Sequence, residues 1–266
     1  TPLYSSAASD VYKRQEIYQV RAKGKLVVGR DDFPWFSTCL KGSAGYGWIV
    51  DGTVQDSDYA GDNRTLEFSR AVAENDGDEV YDLSLAVGPR FSLAKGALLL
   101  TPLFGYSHHE QHLRMTDGVQ VLDPLGIFGL GPFPGLDSTF KAEWSGPWAG
   151  LDAEWRPLPR FSLVASGEYH WGDYEGRGDW NLRRDLANNK SFDQEADANG
   201  IILSAAARLD LGSGWSTTLS YDWQDWETDE GLIWFNLAGG GSFPQQLNEA
   251  NWESQAVMLG VEYRFL

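Results

Sequence analysis

No apolar run in this chain approaches the ~20 residues that a bilayer-spanning helix needs, so helical membrane passage is excluded. A single cysteine, Cys39, leaves no internal disulfide possible and gives no reading of redox compartment; burial within strand packing is its expected role. Basic residues are scarce, 21 Lys and Arg against 38 Asp and Glu, and the resulting net charge of -17 argues against a nucleic-acid partner. Gly239-Gly240-Gly241 lacks the Lys-Ser/Thr of a phosphate loop, and His109-Glu110-Gln111-His112 is not the HExxH zinc motif. No metal or cofactor is expected. An initiator Met and a secretory signal pattern are also missing from the start of the sequence.

Aromatic residues, by contrast, are plentiful: 12 Trp, 11 Tyr and 13 Phe suit the interfacial girdles of a membrane protein. Near the C-terminus, Val257, Leu259, Val261, Tyr263 and Phe265 alternate with Ala256, Met258, Gly260, Glu262 and Arg264. The same period of two recurs at Tyr81–Val87, Leu163–Trp171, Leu203–Leu211 and Trp215–Trp223, each time with one apolar and one polar face. Less regular strands are expected near residues 16–30, 36–54, 96–111 and 139–156, the last with a bulge at Gly146-Pro147. Because lipid offers backbone groups no hydrogen bond, only helices and closed sheets span it. The fold expected is therefore all-β: an up-and-down antiparallel transmembrane β-barrel with about nine visible strands.

Tight turns at 92–96, 156–160 and 211–214 alternate with long connections at 55–78, 113–138, 172–198 and 227–250. This is the asymmetry of outer-membrane barrels, short turns at the periplasmic end and long loops outside. A soluble lipocalin-like barrel would carry the polar face outside, but Asp, Glu, Arg and His opposite the apolar face favour the outer membrane of a Gram-negative bacterium. Residues 5–15, SSAASDVYKRQ, resemble a translated sequencing-adapter remnant. Residues 1–15 are accordingly set apart as a non-native segment, 16–266 are read as one barrel domain, and a tenth strand, lost with the true start, is expected to complete an even number.

Among rim residues, Asp56 and Asp58 stand two apart, on one face of extended backbone, where mutual repulsion raises one pKa and lets the pair orient a water. The same spacing also fits a solvated loop. With this pair, the stretches GYSHHEQHLRMTDG, FKAEWSGPWAGLDAEWRP, SLVASGEYHWGDYEG and NWESQAVMLGVEYRF resemble the omptins, outer-membrane endopeptidases of Gram-negative bacteria, over roughly residues 40–265. The resemblance implies a ten-stranded barrel reaching above the membrane and an acidic groove in which an Asp-His pair faces an Asp pair. Asp56 and Asp58 match the latter. Asp179-Trp180-Asn181 is the nearest counterpart of the Asp-any-His pattern, so Asn181 stands where the family has its His. Asn has no titratable group to take a proton from water. Asp179, Asp185 or His170 would then have to serve as the base.

If active, the protein is expected to cleave basic peptides or proteins beside cationic residues. Outer-membrane lipid, with lipopolysaccharide as an activating lipid, is the other expected partner. The alternative is a non-catalytic barrel, either porin-like or a surface adhesin. His108, Glu110 and His112 fall on one strand face, too far apart for the two His to share a metal, and read as rim hydrogen-bonding groups. Arg177, Arg183 and Arg184 either pair with nearby acids or hold lipid phosphates. Inward Glu168, His170, Arg208, Asp210, Glu262 and Arg264 are expected to plug the lumen by pairing.

Overall fold

The structure, a computed structural model, describes residues 8–29, 35–61, 65–75 and 77–265. Two-residue alternation of apolar and polar side chains, rich in aromatic and branched residues, produces long antiparallel strands throughout. In chain order they are β1 (Ala8–Gly29), β2 (Phe36–Gly61), β3 (Thr65–Glu74), β4 (Glu79–Leu93), β5 (Leu98–Leu122), β6 (Gly131–Pro132) and β7 (Ser138–Leu158). There follow β8 (Phe161–Asp179), β9 (Phe192–Gly212), β10 (Trp215–Thr228), β11 (Gly231–Asn236), β12 (Ser242–Leu247) and β13 (Trp252–Tyr263).

The sheet curls through β1, β2, the β3/β4 pair, β5, β7, β8, β9, β10 and β13, the nine positions that the alternation predicts. β3 and β4 share one position: β4 pairs with the inner half of β2, from Trp48 opposite Glu79 to Phe36 opposite Phe91, and β3 with its outer half. Between them, buried Asn75 bridges the break, its backbone N–H donating to the Gly52 carbonyl (2.9 Å) and its side chain to that of Arg114 (3.0 Å). Among the described residues, β1 and β13 each pair along one edge only, and across the gap Arg21 of β1 reaches Asp222 of β10 at 2.9 Å.

Outward positions carry Val20, Leu26, Leu83, Leu85, Leu219 and Leu259, all exposed, while Asp152, Glu154, His170 and Asp222 are buried inside. A soluble barrel would reverse this. Exposed Tyr106, Tyr169, Trp171 and Tyr221 form the outer aromatic girdle, and Trp155, Trp215 and Tyr263 the one beside the tight turns. Those turns fall at Ala94–Gly96, 159–160 and 213–214, the last with positive φ at Gly212, Ser213 and Gly214. Cys39 is buried, as its sequence context suggests.

Two expectations change. The long connections are largely strand: β2 runs to Gly61, β5 to Leu122 and β8 to Asp179, so a β-wall stands well above the girdle. No bulge occurs at Gly146-Pro147; the β7–β8 register is kept from Ser145 opposite Asp173 to Trp148 opposite His170. Instead the two backbones press together there, a Cβ on Gly146 falling 2.3 Å from the Trp171 carbonyl oxygen and one on Gly172 2.1 Å from that of Ser145. Residues 8–15 form the outer end of β1, with Ala8 opposite Tyr59 and Gln15 opposite Gly52.

Candidate functional site: the rim and lumen

A cavity of about 2460 Å³ runs from the rim down to Lys23, Lys41, Glu168 and Asp222. Its contents follow from strand alternation. On the β7–β8–β10 side the inward positions supply Trp144, Trp148, Tyr174 and Trp226, which pack with His109 and His170; the Trp226 ring centroid lies 5.0 Å from that of His109 and 4.9 Å from that of His170. Inward β1 positions supply Lys13, Gln15, Ile17, Gln19, Arg21, Lys23 and Lys25 instead. Aromatics thus fill one side of the lumen, and water and charge are left to the other.

Across that wet side, two ionic layers form. In the first, Lys41 bridges Asp152 (2.9 Å) and Glu168 (3.2 Å), Lys25 reaches Asp152 (3.1 Å), and Arg21 holds Asp222 (2.9 Å). In the second, Glu154 gathers Arg90 (3.6 Å), Arg156 (2.8 Å) and Arg208, which also reaches Glu262 (3.4 Å). His170 accepts or donates one bond with Ser107 (2.9 Å) and faces Glu168 (3.3 Å). Of the six residues expected to plug the lumen by pairing, Arg208 meets Glu262 and Glu168 meets His170, whereas the Asp210 carboxylate accepts from the Gly212 N–H in a turn.

The predicted catalytic residues do not converge on the cavity equally. Asp56 and Asp58 lie within β2 rather than beyond it, and of the three aspartates Asp56 alone lines the cavity. Lys13, opposite Val54, sits 3.7 Å over the Phe140 ring; burial lowers its pKa to about 7 against the upward pull of Asp56. Asp58 lies within electrostatic range of Arg183, on the segment after β8. Asp179 ends β8 and accepts a 3.4 Å bond from the Ser191 hydroxyl, which itself accepts from the Trp180 N–H.

Asn181 is committed elsewhere. Its side-chain oxygen accepts from the Asp137 N–H (3.0 Å) and the Ser138 hydroxyl (3.1 Å), and its amide donates to the Gly135 carbonyl (2.7 Å). Nor does Asp185 offer a base: hydrogen bonds from Arg183 at 2.8 and 2.7 Å hold its pKa at about 2. His170 lies deep among Trp148, Trp226 and Ser107.

On the outer face, Glu110 is hydrogen-bonded by both His108 (3.1 Å) and His112, so the carboxylate joins imidazoles that the strand itself holds apart. Metal-ligating atoms of His108, Glu110 and Glu143 lie within 4.8 Å of one another. Lys141, however, already pairs with both carboxylates, and an ion would have to displace it. Arg177 pairs with Asp193 (3.4 Å), as expected from its acidic surroundings.

The lumenal ladder escaped the sequence reading. Arg21, Lys23 and Lys25 repeat at every second position, which is the signal that marks one strand face, but nothing local says that this face meets Asp152 and Asp222.

Lipid-facing apolar side chains, a polar lumen and a nine-position antiparallel curl define an outer-membrane β-barrel of omptin-like architecture, placing the protein in the Gram-negative outer membrane. The chain belongs to the Protochlamydia outer membrane protein (Pom) family, whose model matches residues 5–265. Its structure is similar to the crystal structure of the outer membrane protease OmpT from Escherichia coli, with a TM-score of 0.66 and 12% identity over 99% of each chain. Identity that low carries the fold and not the activity. No curated protein matches the sequence.

Proposed function

We propose that this protein is a non-proteolytic outer-membrane pore for small hydrophilic solutes, narrowed by the ionic layers of its lumen. The observation that carries the reading is the facing of Arg21, Lys23, Lys25 and Lys41 on β1 and β2 by Asp152, Glu168 and Asp222 on β7, β8 and β10. Opposed charges across a low-dielectric wall focus the field on passing ions. Because the Lys23 and Lys25 side chains keep 53% and 37% of their surface open, their pairs are partly hydrated and worth only ~0–1 kcal/mol each. Such arms exchange partners and leave a constriction that opens transiently.

Planar-bilayer recording tests this. The wild type is expected to give small unitary currents, and Asp152→Asn with Glu168→Gln, which frees Lys41, to enlarge them and raise anion preference. Silence from both proteins sinks the pore.

A second reading, an endopeptidase acting on basic peptides with lipopolysaccharide as activator, is favoured by the full-length likeness to a protease fold and by Asp56 at the cavity wall. Against it stand the bonding of Asn181 and the Arg183-paired Asp185. Cleavage of a quenched dibasic peptide that Asp56→Asn abolishes would establish it over the pore.

A further inference from the structure

The connection leaving β5 contains the sequence PLGIFGLGPFPGL, residues 124–136, with no charged, hydroxyl or amide side chain in a protein of net charge -17. Leu125, Ile127, Phe128 and Leu130 are 66%, 60%, 57% and 70% exposed. Apolar surface held out in this way marks an interaction site rather than packing left over.

The tip is built to hold that shape. The Asp123 carboxylate turns back to accept from the N–H groups of Ile127 (2.9 Å), Phe128 (2.8 Å) and Gly129 (2.7 Å), and the Asp123 carbonyl accepts from Gly126 (3.1 Å). β6 pairs back onto Val119 and Gln120, the Phe133 N–H reaches the Gly118 carbonyl (2.9 Å), and Asn181 fastens Gly135 and Asp137. The one acidic group at the tip is thus spent on backbone donors, which would otherwise oppose transfer into lipid.

Sixteen positions of β5 separate Tyr106 in the outer girdle from Leu122. At ~3.4 Å per residue and a tilt of ~40° this lifts the tip ~40 Å above the protein's own membrane. Its own outer leaflet is out of reach. Protein interfaces carry about one hydrogen bond per 100–200 Å², and this tip offers no polar side chain to make them. An anionic bilayer would be repelled by the acidic body beneath.

We propose that residues 124–136 are an insertion tip that anchors the protein in the electroneutral leaflet of an opposing bilayer. Leu125, Ile127, Phe128 and Leu130 enter the acyl boundary, and Asp123 keeps the inserted N–H groups satisfied.

The test uses the full chain held in nanodiscs, floated with phosphatidylcholine vesicles, and empty nanodiscs as the blank. Wild type is expected to co-float at least about tenfold more than the I127S/F128S/L130S variant, since apolar burial supplies the binding. D123A, which keeps every apolar side chain, is expected to lose part of the capture. Unchanged bilayer conductance or gel mobility shows that the variants are folded. Equal flotation of wild type and the triple variant overturns the proposal, as does capture that vanishes in high salt.

Discussion

At the scale of single residues, the rim is ruled by where charge is enclosed. The Lys13 ammonium is held between the Phe140 ring and Asp56, and burial brings its pKa down to about 7. In the unfolded chain the same amine titrates near ~10.4, so between these values the unfolded state binds more protons and stability rises with pH. Thermal or denaturant unfolding followed from pH 7 to 10 is expected to climb, and Lys13→Met to remove that part of the slope; a slope unchanged in the variant refutes the assignment. Asn181 makes a complementary case. Replacing it by Ala strips three hydrogen bonds from the turn at 135–138 and is expected to cost roughly 1–3 kcal/mol locally, read as faster proteolytic nicking near Phe133. Asn181→His, which restores the omptin pattern, is expected to pay the same cost without yielding a peptidase.

At the scale of elements, the close approach of β7 and β8 is tightly constrained. Gly172→Val would set a Cβ within 2.1 Å of the Ser145 carbonyl oxygen, and neither backbone can yield without losing its ladder. A cost on the order of 3 kcal/mol or more is expected, seen as loss of the compact, fast-migrating band on semi-native gels. The membrane-level strands were legible from alternation because lipid demands one apolar face. Above the girdle that contrast fades: beyond His108 the outward face of β5 meets water while the inward one mixes polar Gln111 with buried Leu113, and LRMTDGVQVL reads as a loop although it is strand. The acidic and glycine-containing stretch around Asp56 is extended for the same reason, held by β1 on one side and β3 on the other.

At the scale of the whole molecule, the curl depends on contacts that skip the open edge between β1 and β13. Arg21 meets Asp222, and Ser204 donates to the same carboxylate. Asp222→Asn would leave the Arg21 guanidinium with only the more distant Asp82 carboxylate (3.7 Å), and a loss of roughly 1–3 kcal/mol is expected in gel-monitored unfolding. Arg21→Met with Asp222→Leu should recover most of it, since Asp82 keeps its bonds to His109 and Gln19 and Lys23, the other partner of Asp222, is largely open to water. A double variant no better than the single one would show that the pair does not bridge the curl.

The sequence alone determined that this chain crosses a membrane by strands, which side of each strand meets lipid, and which end carries the tight turns, because a period of two and the solvent on either face are local properties. Candidate acids could likewise be named from spacing. Only the tertiary structure decided that Lys41 meets Asp152 and Glu168, that Asn181 ties down a turn instead of facing a water, and that Asp56 alone of the three aspartates borders the lumen. Those outcomes depend on register and curvature between segments from about 45 to well over a hundred residues apart, and no local pattern encodes the distance across a barrel.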